Sequence, residues 1–408
     1  MTAARPAWPA PTDFAAPPDA GQLTAWIESD RAARPARLER LRTRFDGAGI
    51  DAYFGVRREH MRYLTGFTLG EGEEKSAGHS GQFLVSGGDV VVLADSRYTI
   101  QVRREAPEAR LFEANGNLVD RWPELVASVG ARRVGVEAGF VSQALWQRLV
   151  AAAPEVELVA IEGWLEADRA IKEPSELERV AAACAVADRS LAALLPEIRT
   201  GVTEAELALQ LEWLMRTGGA EALAFDVACL SGSEAALPHG APGDRAVLDG
   251  AVLLFDFGAQ VAGYRSDMTR TLFVGEPSGR DLAMYELVAR AQAAAITVLE
   301  VAVRGGGELP SGRAVDAVAR AVIGEAGHGD HFGHGTGHGI GLATHEAPSL
   351  GKAAPDAPLP SPTVFSVEPG IYLEGEIGVR IEDLIALDAV AGRVERLTQF
   401  PREVVVVG

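Results

Sequence analysis

Apolar positions along this chain follow first one period and then the other, and the changes mark out its elements. From Leu23 to Gly49 the spacing favours helix. Apolar runs at Asp51 to Val56, Gln82 to Val85 and Val90 to Ala94 read as short strands separated by turn residues. Helical and strand-like segments then alternate as far as VELVAIEG, which ends at Gly163. Such alternation predicts a mixed sheet with helices packed on it, a domain over 21–167. The segment 1–20, dense in proline and alanine, is expected to be a flexible lead.

A second domain is expected over 168–408. Pro174 at an early helical position, acidic residues in the first turn and apolar residues at helical spacing predict a long helix at its start. Thr203 followed by Glu206 forms a capping box ahead of LALQLEWLM, and a third helix is predicted over Arg280 to Val301. Strands and glycine-rich turns follow from Phe332. The fold class is therefore α/β (α+β), with a smaller mixed domain ahead of a larger one.

Length and composition agree with two cores: the chain has 408 residues, of which 47% are hydrophobic. A net charge of −19 repels phosphates and anionic lipid, so neither nucleic acid nor a membrane is an expected partner. Two cysteines, Cys184 and Cys229, fall in apolar runs and supply no disulfide framework, which points to core thiols and a reducing compartment. With no secretory-type apolar stretch at the start, the expected location is cytoplasmic.

Six of the eight histidines lie between His239 and His345, in the stretch that also carries isolated acids. In VLLFDFGAQVAGYRSDMTRTLFV two β-rich runs flank Gln260 to Gly263, as in a hairpin, and Asp256 and Asp267 are equidistant from that turn. Residues that pair across such a hairpin have Cβ atoms about 5 Å apart. The same construction recurs in FSVEPGIYLEGEIGVRIEDLIAL, with Glu368 and Glu382 equidistant from Gly375. Facing carboxylates on apolar strands repel unless a cation lies between them. Between the hairpins, FGHGTGHGIGLATHE offers His334, His338 and His345 on a backbone that five glycines allow to bend tightly. One imidazole among four carboxylates suits a pair of divalent ions such as Mn²⁺, Zn²⁺ or Co²⁺.

These residues resemble the pita-bread metallopeptidases. The motifs DFG…SDMTRT, GHGTGHGIGL, THE, VEPGIY and GVRIED carry the resemblance in the family's order, preceded by LPHG at His239. MRYLTGF and ADSRY in the first domain are similar to the creatinase-type domain of proline-specific members. The resemblance implies a pita-bread catalytic domain with Asp256 on one ion, Asp267 and Glu382 bridging, and His338 and Glu368 completing the second. Manganese is the first expectation for both ions. It further implies that Glu368 moves the proton of a water shared by the ions. His345, aided by His239, would stabilise the charge on the former carbonyl oxygen, and His334 would line the pocket. Arg380 is expected to steady Glu382, and Tyr372 to hydrogen-bond nearby.

By the same resemblance the substrates are peptides with proline in second position, and relatives form homo-oligomers. Some prolidases carry an arginine just after their His-Glu-x-Pro sequence, where it meets a dipeptide's carboxylate. HEAPS places Ser349 there, which favours an Xaa-Pro aminopeptidase over the alternative, an Xaa-Pro dipeptidase. A non-catalytic binding protein on the same fold is the reading of a different class, and His239, His334 and His345 speak against it.

Overall fold

The computed structural model describes residues 8–70, 80–114 and 118–408. They form two compact units, one of Thr24–Asp168 and one of Arg169–Gly408 with the residues up to Leu23.

The first unit is built on a six-stranded sheet. Its strand order is Arg110–Glu113, Val90–Ala94, Gln82–Ser86, Ala52–Gly55, Arg133–Glu137 and Glu157–Ile161. The strands predicted from the apolar runs are three of its four inner members, side by side. They pair antiparallel, whereas the outer pairings are parallel, so the sheet is mixed as expected. Phe54, Leu84, Trp122, Val134 and Leu149 are among the residues that close its core.

In the second unit the helix Pro174–Leu194 opens on Glu173, whose amide donates to Glu176 Oε2 at 2.8 Å. The helix Glu204–Thr217 starts on the predicted Thr203–Glu206 box. The third predicted helix spans Gly279–Gly305. A further helix, Gly312–Glu325, was not anticipated; Ser311 caps it, and Val315, Ala319 and Ile323 bury one face. These last two helices pack on two sheets through Val288, Ala291, Leu299 and Val315, against Leu254, Phe365, Ile381 and Leu387. One sheet has the order Val406–Val407, Met268–Val274, Val252–Phe257, Ala228–Ser231. The other runs Glu346–Leu350, Gly337–Gly339, Thr363–Val367, Asp383–Asp388, Arg393–Arg396.

Part of the segment expected to be a flexible lead is held on this unit. Trp8 donates from its indole to Val406 O at 3.0 Å, Arg189 donates to Pro11 O at 2.9 Å, and the Phe14 ring stacks on Phe400. Its aromatic rings give this proline-rich stretch apolar area to bury, which composition alone concealed. Residues 1–7 of that expectation lie outside the described residues. Cys184 and Cys229 are both buried and unpaired. Among the described residues no helix is long and apolar enough to cross a membrane.

Candidate metal centre

The first hairpin pairs Val252–Phe257 with Met268–Val274 and continues through Ala259–Val261 and Tyr264–Arg265. It closes on Ala262 and Gly263, both at positive φ (47° and 85°), as a two-residue hairpin turn requires. The centre lies one residue beyond that expected, so Asp256 faces Thr269 rather than Asp267. Because the pairing has moved by two residues, and side chains alternate with period two, both aspartates still share a face. Close approach of the strands at Gly258 fixes this register: a Cβ there would fall 2.0 Å from Ser266 O.

The second hairpin is centred on Gly375, with Gly370 opposite Arg380 and Val367 opposite Asp383. Glu368 and Glu382 are therefore opposed, as expected, but the ladder opens where they sit. Glu368 donates its amide to Thr336 O at 2.8 Å, and Glu382 donates its amide to Thr269 O at 3.2 Å. From the third helix the buried Gln292 amide donates to Val367 O at 3.1 Å and Ile381 O at 3.2 Å, each one residue before a glutamate. The gap in the second hairpin thus receives the first hairpin and the histidine loop.

His338 occupies the short strand Gly337–Gly339. A side chain at Gly337 would meet Ser366 O at 1.9 Å, so only glycine lets this strand lie against Thr363–Val367. His338 Nδ1 faces Gly339 O at 3.1 Å, which leaves Nε2 3.6 Å from Asp267 Oδ2 and 3.3 Å from Glu368 Oε1. Ser366 Oγ donates to that same Glu368 oxygen at 2.9 Å.

One cavity of about 370 Å³ is lined by Asp256, Asp267, His338, Glu368 and Glu382, and also by His239, His334, His345 and Arg380. The sequence-predicted residues therefore converge. His345 lies with its ring centroid 4.2 Å from that of His338. His334 donates from Nδ1 to Gly335 O at 2.8 Å in the tautomer that lets Nε2 accept from Tyr372 Oη at 2.8 Å. Ser349 lies in the ladder opposite His338.

Whether these residues fit divalent ions is tested by their own electrostatics. Donor atoms of Asp267, His338 and Glu382 all lie within 4.8 Å of one another. Burial, with Glu382 and Asp256 next in weight, pushes the Asp267 carboxyl well above its usual range. Burial followed by Glu368 and Asp256 does the same to Glu382, and burial raises Asp256 against the pull of Arg380. Asp256 Oδ1 and Glu382 Oε1 are buried without a hydrogen-bond partner. Paired carboxylates with orphaned oxygens aimed at one space, beside an imidazole nitrogen, are the donor set that hard or borderline divalent ions take. The residues fit.

Arg380 organises this set differently from expectation. Its guanidinium donates to Asp256 Oδ2 at 2.5 Å, to Tyr372 Oη at 2.8 Å and to Thr269 Oγ1 at 2.8 Å. Thr269 Oγ1 in turn donates to Glu382 Oε2 at 2.7 Å, so Glu382 is reached through the threonine. Burial opposes the Arg380 charge, but Tyr372 and Asp256 hold it well above its ordinary value; burial pushes Tyr372 up to about 12. Burial lowers the His334 imidazole, and burial with His338 lowers that of His345, so the surroundings of both favour the neutral form. Three different guanidinium nitrogens of Arg380 reach Asp256, Tyr372 and Thr269, and the single nitrogen of a lysine ammonium cannot span these acceptors. Arg380→Lys is therefore expected to lose roughly 10- to 100-fold in activity and in Mn²⁺ affinity, the usual effect of removing a group that orients metal ligands. Kinetics paired with metal titration check it, and values within twofold of wild type would refute it.

Sequence reasoning missed Thr269, Gln292 and the Asp316–Arg320 pair. Asp316 accepts from Thr336 N at 3.0 Å and Thr336 Oγ1 at 2.8 Å, while Arg320 donates to Phe332 O at 2.8 Å, pinning the glycine-rich loop. Only the i, i+4 spacing of Asp316 and Arg320 hinted at this.

Residues 178–389 match Metallopeptidase family M24, and residues 37–171 match the Creatinase/Prolidase N-terminal domain. An Xaa-Pro dipeptidase of Pyrococcus furiosus is 31% identical over 90% of this chain and 99% of its own length. Among solved structures, an Xaa-Pro dipeptidase from Bacillus anthracis has a TM-score of 0.82 at 34% identity, covering 92% of this chain and 100% of that one. An X-Pro aminopeptidase from Thermotoga maritima has a TM-score of 0.77 at 35% identity, covering 91% and 100%. The chain belongs to metallopeptidase family M24. It is a hydrolase with a creatinase-like first domain and a pita-bread catalytic domain.

Proposed function

We propose that this enzyme is an Xaa-Pro dipeptidase whose two divalent ions, manganese in the first instance and zinc or cobalt as alternatives, are held by Asp256, Asp267, His338, Glu368 and Glu382. The observation that carries the reading is the convergence of four carboxylates and an imidazole in one small cavity that also presents His239, His334 and His345. When bound, the ions acidify a water and polarise the scissile carbonyl. Glu368, with Oε1 held by Ser366, takes the proton of the attacking water. It passes that proton to the proline nitrogen as the C–N bond breaks. His345 and His239 stabilise the charge that builds on the former carbonyl oxygen. Arg380 fixes Asp256 directly and Glu382 through Thr269.

The substrate length follows the relatives rather than Ser349. Xaa-Pro dipeptidases from Pyrococcus furiosus and Bacillus anthracis match nearly end to end. A cavity of about 370 Å³ falls within the roughly 300–1,000 Å³ spanned by ligand pockets and has room for a dipeptide. Proline after the cut lacks an amide N–H and has fixed φ, so it needs such a dedicated pocket. The aminopeptidase reading keeps two supports, Ser349 and the Thermotoga maritima neighbour. Mn²⁺-loaded protein assayed on Ala-Pro, Ala-Pro-Ala and Ala-Ala decides between them. Ala-Pro is expected to be cleaved, with kcat/KM for the tripeptide at least about tenfold lower, the cost of an unsatisfied end group. Equal or better cleavage of the tripeptide selects the aminopeptidase, and cleavage of neither proline peptide sinks both.

A further inference from the structure

The strand Glu346–Leu350 begins with a carboxylate that none of these steps uses. The Glu346 side chain is only 2% exposed, although it directly follows His345 at the cavity. Its Oε2 accepts from Arg169 Nη2 and from the Ala343 amide at 3.3 Å, and its Oε1 accepts from Lys172 Nζ at 2.6 Å. Lys172 Nζ also donates to Arg169 O at 2.5 Å, and the Lys172 amide donates to Pro362 O at 2.8 Å. Both cations are as buried as the carboxylate. Burial alone would raise the Glu346 carboxyl, but Arg169 and Lys172 hold it below its ordinary value.

Desolvating three charges offsets most of what their attraction returns, and an apolar cluster of equal volume is commonly as stable. What the charges supply is one geometry, and here it falls on His345. On the other side, Thr344 Oγ1 accepts from Arg265 Nη1 at 3.0 Å and donates to Ala224 O at 3.2 Å. Beneath the loop, a Cβ on Gly341 would lie 2.5 Å from Glu346 Oε1, so the backbone folds directly onto the carboxylate. The backbone of His345 is thus fixed from both neighbours while its ring remains at the cavity.

We infer that Glu346, clamped by Arg169 and Lys172, is a positioning residue that aims His345 at the substrate; the inference rests on the role given to His345 above. Glu346→Gln, made in the wild-type and His345→Ala backgrounds and loaded with Mn²⁺, tests it on Ala-Pro. In wild type, kcat is expected to fall about tenfold with KM changed less than about threefold, as for loss of orientation. In the His345→Ala background the same change is expected to cost less than about twofold, because residues acting as a unit are not additive. Equal losses in both backgrounds, or no loss in wild type, overturn the inference. A second readout needs no activity. In metal-free protein labelled with ¹⁵N-histidine, Glu346→Gln is expected to shift the imidazole signals of His345 and leave those of His239 and His334 in place; an unmoved His345 overturns the inference. If wild type does not cleave Ala-Pro, the peptidase reading fails while the spectra still decide the positioning. Lys172→Met, which leaves the carboxylate paired with Arg169, is carried through the same cycle and spectra, so that a folding failure of Glu346→Gln does not end the test.

Discussion

Glu382→Gln is expected to lower kcat/KM on the cognate peptide by on the order of 10³-fold while raising the melting temperature of the metal-free protein. The two effects have one cause. Glu382 is 2% exposed, and its carboxyl faces Glu368 and Asp256, the charges named after burial as raising it. In the absence of an ion Arg380 and Thr269 offset that negative charge only in part, so a neutral amide of the same shape relieves repulsion in the folded state. Loss of a ligand removes stabilisation of several kcal/mol that metal ions contribute at the transition state, and about 4 kcal/mol corresponds to about 10³ in rate. Thr269 Oγ1 can still donate to the amide oxygen, so the local hydrogen bond to residue 382 survives. Steady-state kinetics and calorimetry with chelator check the pair of effects. Activity above a tenth of wild type, or a lower melting temperature without metal, would falsify the assignment of Glu382 as a ligand.

With chelator present, the contribution of Asp267 and Glu382 to stability is expected to fall as the pH rises from about 4 towards 8, and Mn²⁺ is expected to offset the loss. Asp267 and Glu382 have folded-state pKa values well above the ordinary carboxylate range, first through burial and then through their neighbours. The folded state therefore binds these protons more tightly than the unfolded chain does. Their contribution to stability is complete below the unfolded value near 4 and is lost as the pH climbs through the raised values. Mn²⁺ replaces those protons, so its effect grows with pH. At about 100-fold excess over Kd it adds about 2.7 kcal/mol. That corresponds to roughly 5–10 °C for a domain of this size. Melting curves of wild type and Glu382→Gln from pH 5 to 8, with and without Mn²⁺, isolate the contribution. A wild-type curve parallel to that of the variant, or an equal Mn²⁺ shift at both ends of the range, contradicts it.

The hairpin patterns show how much of the site could be read along the chain. Glu368 and Glu382 were placed opposite each other from the position of Gly375 alone, and the register agrees. The aspartate hairpin was misplaced by one residue at its centre, because Gln260 to Gly263 offers more than one two-residue turn. The turn that forms is Ala262 and Gly263, both at positive φ, and in its register Gly258 lies close against Ser266 O. Even so, period-two alternation kept both aspartates on one face. The helix Gly312–Glu325 went unread although Val315, Ala319 and Ile323 have helical spacing. Glycines at both ends of that stretch masked its period.

The sequence by itself determined the two-domain order, the main helices and strands, and the identity of the candidate donor residues that meet in the cavity. These depend on local periodicity and on motifs within single hairpins or loops. Tertiary structure alone decided how the donors are held. Arg380 chose Asp256 over Glu382, Gln292 bridged the gap before the two glutamates, and Glu346 joined residues more than 170 positions away in the chain. Partner choice among buried polar groups depends on which donor satisfies which orphaned acceptor once water is excluded. That competition is settled only when distant segments meet, so no local pattern along the chain records its outcome.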